Sequence, residues 1–88
     1  MFAYLISYDL HAPGKNQEIV EEEIKLFGSW CKYLSNTFLV KTSNNIDGVN
    51  NRIIQHLDSN DRLMIVEVKK PIGGRLDSDQ WDWIHKNL

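Results

Sequence analysis

The chain has 88 residues, 42% of them apolar and 25% charged, with a formal net charge of −2. That length makes one domain spanning residues 1–88, with a modest core that buries roughly 60–65% of the unfolded surface. The weak negative balance excludes a surface that attracts polyanions everywhere, so contact with RNA or DNA needs a local basic patch.

No apolar run approaches the ~20 residues of a bilayer-crossing helix, so no membrane partner is expected. The N-terminus has neither a basic leader nor a small-residue cleavage site, which argues against a secretory signal. The single cysteine, Cys31, has no internal partner for a disulfide, and a cytoplasmic location is expected. Lys32, Lys41, Arg52, Lys69, Lys70 and Arg75 are the raw material for a basic patch, scattered along the sequence.

Phe2 to Tyr8 is rich in aromatic and branched residues and predicts a strand. It runs into Asp9 and a turn at Pro13-Gly14. From about Asn16 the period changes. Ile19, Val20, Ile24 and Phe27 share one helical face, with Glu18, Glu21, Glu22 and Lys25 mostly opposite. Gly28 is the expected stop, as a left-handed cap.

Trp30 to Thr42 alternates again, with turn residues Ser35-Asn36 near its middle. This predicts a hairpin of Trp30–Leu34 and Thr37–Lys41. Ser43-Asn44-Asn45 supplies caps for a second helix, whose stripe is Ile46, Val49, Ile53, Ile54 and Leu57. Gly48 weakens that helix by about 1 kcal/mol relative to alanine. Asp58 to Asp61 is a turn, Leu63 to Val68 a branched strand and Pro71 to Gly74 a loop. Asp77 or Ser78 caps a short last helix with Trp81, Ile84 and Leu88 on one face.

The order is β-α-β-β-α-β with a C-terminal helix. It predicts an α+β, ferredoxin-like fold, an antiparallel four-stranded sheet with two helices on one face. In such a sheet the uncovered face should alternate to polar. Here it does not, because the first and last predicted strands are apolar on both sides. A lone domain would expose a patch of several hundred Å2. The last helix is expected to cover part of it and a second subunit, related by a two-fold axis, the rest.

Asp9 ends the first strand and is the leading candidate for chemistry. A carboxylate there suits Mg2+ or Mn2+, and a two-fold axis would bring a second copy into reach. The plainer role, and the commoner one for an aspartate in a turn, is to bond backbone N–H groups of the loop. His11, in the same loop, is a possible general base but more simply an exposed histidine. His56 falls late in the second helix and His85 in the last, and the three histidines have no metal-ligand spacing. Asp58 and Asp61 read as turn caps, and Glu21-Glu22-Glu23 as a solvated helix face. Cys31 reads as a small buried hydrophobe. Of Trp81 and Trp83, two apart, one should join the core and one remain for an interface.

The run Tyr4-Leu-Ile-Ser-Tyr8-Asp9-Leu10, the helix after it, the Trp30–Lys41 hairpin and the strand Asp61-Arg-Leu-Met-Ile-Val66 together resemble the small CRISPR-associated adaptation nucleases. They also resemble the virulence-associated protein D toxins and, most closely, a set of SinR-like stand-alone proteins. The resemblance spans nearly the whole chain. It implies a homodimer in which the strand-end aspartate, here Asp9, is both metal ligand and catalytic residue. It implies metal-dependent cleavage of RNA or DNA in some members and a non-catalytic role holding DNA in others. The family's hairpin often reads Ser-Val-Phe-Glu, whereas the matching stretch here is Asn36-Thr37-Phe38-Leu39, which keeps only the phenylalanine.

Two functions are carried forward. One is a metal-dependent endonuclease, RNA before DNA, with Mg2+ or Mn2+ on paired copies of Asp9 and the phosphate backbone on Lys15, Lys32, Lys41 and Arg62. The other is a non-catalytic dimeric module that binds nucleic acid or protein and asks nothing of Asp9.

Overall fold

A computed structural model describes residues 1–11 and 15–88 of the chain. The Pro13-Gly14 turn lies outside the described residues. β1 (Phe2–Asp9) is followed by α1 (Lys15–Lys25), β2 (Gly28–Leu34), β3 (Thr37–Thr42), α2 (Ile46–Ile54), β4 (Arg62–Glu67) and α3 (Ser78–Asn87). The strands form one sheet in the order β2-β3-β1-β4, with every neighbouring pair antiparallel. This is the ferredoxin-like arrangement with an added C-terminal helix.

Strand alternation decides the core. Tyr4, Ile6 and Tyr8 of β1 point to one face, with Phe38 and Val40 of β3 beside them. The amphipathic stripes of α1 and α2 close over that face with Val20, Ile24 and Phe27, and with Val49 and Ile53. Leu63 and Ile65 of β4 and Leu57 pack against the cluster from its border. Tyr4 and Phe38 are the largest side chains to be fully buried. Truncating a phenylalanine so placed to alanine costs about 3–5 kcal/mol.

The helical stripe of α2 is narrower than its sequence predicts. Val49 and Ile53 are buried, while Ile46 and Ile54 are exposed. Ile54 follows Ile53 by one residue and so turns about 100° away from the sheet. Asn45 caps the helix as expected, its Oδ1 accepting the Gly48 N–H at 2.9 Å. Gly28 needs its missing Cβ for a reason other than the one expected. It is not a left-handed helix cap but the first residue of β2, at φ +153°, where a Cβ would stand 2.4 Å from the Lys41 carbonyl oxygen.

α3 lies on the opposite face of the sheet, against β2. The Trp83 indole Nε1 donates to Ser29 Oγ at 2.9 Å, and Gln80 Nε2 donates to the Tyr33 carbonyl at 3.4 Å. Leu39 of β3 is 6% exposed and Ile84 of α3 only 2%, so this half of the second face is covered. The β1–β4 half is not. Met64 remains 60% and Val66 44% exposed. No helix of the described residues is long and apolar enough to cross a membrane.

Candidate functional site at the tip of β1

Because Tyr4, Ile6 and Tyr8 face the core, Leu5, Ser7 and Asp9 face the other way. Register pairs them with Val66, Met64 and Arg62 of β4 on that same side. Asp9 therefore stands at the end of the open apolar strip, on the face that α3 leaves half bare. A small open pocket of about 190 Å3 lies here, lined by Ser7, Tyr8, Asp9, Asn36, Arg62 and Met64 among others.

Among the described residues, the turn-capping at this end of β1 is done by Asp61. Its Oδ1 accepts the His11 N–H at 2.7 Å and its Oδ2 accepts the Asp58 N–H at 2.8 Å. These two bonds, the Asp58 amide first, hold the Asp61 carboxyl below the usual carboxylate range. Arg62, opposite Asp9, places Nη1 on the carbonyls of Ser59 and Asp61, at 3.1 and 2.9 Å. Among the described residues Asp9 takes part in no side-chain hydrogen bond and no ion pair, and it is exposed.

Tyr8, one residue earlier, points to the helix side and enters a separate network. Its hydroxyl donates to Glu21 Oε2 at 2.5 Å, and the same oxygen accepts from Lys32 Nζ at 2.9 Å and Gln17 Nε2 at 3.1 Å. Burial, reinforced by the Glu21 carboxylate, pushes the Tyr8 phenol far above its ordinary value. Burial works to raise the Glu21 carboxyl as well. The bonds from Lys32, Tyr8 and Gln17 outweigh it and hold the group low.

Glu23 makes the matching tie to α2. It accepts from Arg52 Nη2 at 2.6 Å and meets His56 Nε2 at 3.0 Å. Its carboxyl is held low first by the bond from His56 and then, against a burial effect, by Arg52. The acidic run of α1 is thus not a solvated face throughout. Only Glu22 is fully exposed, while Glu21 and Glu23 flank the buried stripe and reach different elements. Apart from Gln17, one helical turn before Glu21, their partners lie 11 to 33 residues away in sequence, so no local pattern marks those ties.

The four cations expected to hold a nucleic-acid backbone do not form one surface. Lys32 is on the helix side and engaged by Glu21. Lys41 is opposite Ala3, six positions along β1 from Asp9, which is about 20 Å at strand rise. Arg62 alone adjoins Asp9, and Lys15 opens α1. His85 is exposed. Both Trp81 and Trp83 are half-buried; Trp83 anchors α3 to Ser29, and Trp81 stacks on His85 at 6.0 Å between ring centroids. Cys31 is only half-buried, and burial pushes its thiol up.

A hard divalent cation takes six or more oxygen ligands, some of which can be waters. Among the described residues no group of three or more His, Cys, Asp or Glu side chains converges on one point. Asp9 suits such an ion as a hard, exposed and uncommitted oxygen donor. One protomer does not supply the rest of a site.

No protein-family model matches the sequence, and no curated protein matches it. Among solved structures, the chain is similar to a hypothetical protein, TT1823, from Thermus thermophilus. The two share 18% identity at a TM-score of 0.67, over 86% of this chain and 94% of that one. At that identity the likeness shows the fold alone.

Proposed function

We propose that the chain acts as a homodimeric, metal-dependent endonuclease, RNA before DNA, with Asp9 of each copy contributing to one shared centre. The observation that carries this reading is that Asp9 is exposed and uncommitted among the described residues, while Asp61 does the capping. It also shares a face with Met64 and Val66, whose exposure favours a second copy.

The symmetry axis is constrained by strand length. An axis crossing β1 at Ile6 at right angles to the strands would put the two Asp9 residues at opposite ends. Three residues on each side is then about 20 Å, too far for one ion. The axis must pass near the Asp9 end, or run along the strands, for the carboxylates to meet. Bound there, Mg2+ or Mn2+ would stabilise charge developing at phosphorus and lower the pKa of a bound water. Asp9 would hold the ion, and the Arg62 guanidinium, opposite it in register, would hold a phosphate oxygen.

The test is cleavage of a labelled RNA in Mg2+ by the wild type and by Asp9→Asn. Wild-type cleavage that the variant loses by at least about 100-fold supports the reading, while equal cleavage by both removes it. One observation favours the second reading, a non-catalytic dimeric binding module. Arg62 is the one basic side chain lining the Asp9 pocket, a sparse positive field for a nuclease. Nucleic-acid binding by the wild type with no cleavage in either Mg2+ or Mn2+ would decide for that reading.

A further inference from the structure

We propose that the sheet end remote from Asp9, together with the adjoining side of α3, is a track for single-stranded RNA. Lys41, Lys69 and Lys70 take phosphates, and the Trp81–His85 pair takes a base. Two open grooves meet there. One, of about 530 Å3, lies at the start of β1 and is lined by Ala3, Lys41, Glu67, Lys69 and Lys70 among others. The second, also about 530 Å3, runs between the 70–72 segment and α3 and is lined by Lys70, Pro71, Ile72, Trp81, Ile84 and His85. Lys70 belongs to both, so the grooves join at its side chain.

The charge complements a polyanion. Lys41, Lys69 and Lys70 form no ion pair among the described residues, in contrast with Lys32 and Arg52, which are tied to Glu21 and Glu23. Glu67 is the one carboxylate side chain lining either groove. α3 itself is polarised, with Asp79 in its first turn and His85 and Lys86 in its last. Beside this basic strip the Trp81 and His85 rings lie 25° from parallel. Trp81 is half-buried and His85 is exposed. A positive groove leading to an aromatic stack is how proteins hold single strands, since every base has a π-face and a duplex hides it.

The choice of RNA over DNA rests on the endonuclease reading, but the track does not need the Asp9 centre, which lies about 20 Å from Lys41 along β1. The experiment is fluorescence anisotropy with a fluorescein-labelled single-stranded RNA 12-mer in EDTA, between about 50 and 300 mM salt, where counterion release sets a slope of about 0.7 per phosphate contacted. Three phosphate contacts predict a log–log salt slope near −2. Lys69→Gln/Lys70→Gln should weaken binding about 10-fold or more and flatten the slope by about 1.4. His85→Ala should weaken it about fivefold or more with the slope unchanged, and Trp81→Phe should retain binding that Trp81→Ala loses.

Asp9→Asn should bind like the wild type in EDTA, where no metal is held, so undiminished cleavage by that variant in Mg2+ with binding intact would sink the Asp9 centre and leave the track standing. No binding at 50 mM salt, or binding indifferent to the lysine changes, overturns the proposal. So does equal affinity for the matching duplex, or competition by poly-glutamate as strong as by RNA, either of which would mark a general polyanion surface. Because His85, Lys69 and Lys70 are exposed, their variants keep the test open even if Trp81→Ala fails to fold.

Discussion

The Asp61 carboxylate accepts the His11 backbone N–H at 2.7 Å, across 50 positions of sequence. That bond fastens the end of β1 to the turn before β4, whereas Asp9 makes no such bond among the described residues. The structural tie falls to one of two acids close together in the fold.

The division predicts opposite responses to the same change. Asp61→Asn keeps one acceptor oxygen for two amides and should lower Tm clearly. Asp9→Asn should leave stability within about 0.5 kcal/mol, as for other surface changes. The Asp61 carboxyl is held below its unfolded value, so its contribution is present above that value and is lost as pH falls through the lower folded one. Melts of both variants from pH 7 to pH 3 should show the Asp61→Asn deficit shrinking below about pH 4, where the unfolded aspartate takes up its proton.

Tyr8 and Glu21 make a second measurable pair. Tyr8→Phe removes the hydroxyl and leaves Glu21 with Lys32 and Gln17. A hydrogen bond to a charged group contributes about 1.5–3 kcal/mol, and the remaining donors soften its loss, so a cost of about 1–2 kcal/mol in urea unfolding is expected. Tyr8→Phe that is as stable as the wild type would show the network to be worth nothing.

The seat of α3 turns on Trp83 and Ser29. Ser29→Ala and Trp83→Phe should each cost about 0.5–1.5 kcal/mol, and the double variant no more than the larger single, since both remove one bond. Ile84→Ala should cost about 2–5 kcal/mol, because it opens a cavity where α3 meets the sheet.

Met64→Lys and Val66→Lys place charge on the open half of the sheet. Both side chains are exposed in one protomer, so the variants should still fold cooperatively as monomers, with a Tm below the wild type's only by what dimerisation adds. Sedimentation should show the wild type as a dimer at micromolar concentration and the variants as ~10 kDa species. A wild type that is itself monomeric ends the shared-centre reading. In a Cys31→Ser background, Asp9→Cys should form an intermolecular disulfide under mild oxidation, which requires Cα atoms within about 7 Å.

Much of the fold is legible in the chain because periodicity is a local property. The seven elements, their order and the two-fold apolarity of β1 and β4 follow from residues two, three or four apart. Gly28 reads locally as a helix cap, whereas it opens β2 and glycine is required there by Lys41, a strand away. The Lys32–Glu21 and Arg52–Glu23 ties escape any local pattern for the same cause, since those partners are brought in by the sheet and by α2.

The sequence by itself determined which segments are strands and helices, which stripes are apolar, and that β1 ends on an acid. Those follow from backbone geometry and side-chain spacing, which need no knowledge of distant neighbours. Only the tertiary structure decided that Asp61 takes the turn, that α3 lies against β2, and that Lys41, Lys69 and Lys70 line one groove, which Lys70 joins to that of Trp81. Those depend on which elements pack together, because a carboxylate, a lysine or an apolar face acquires its role from whatever the fold sets beside it.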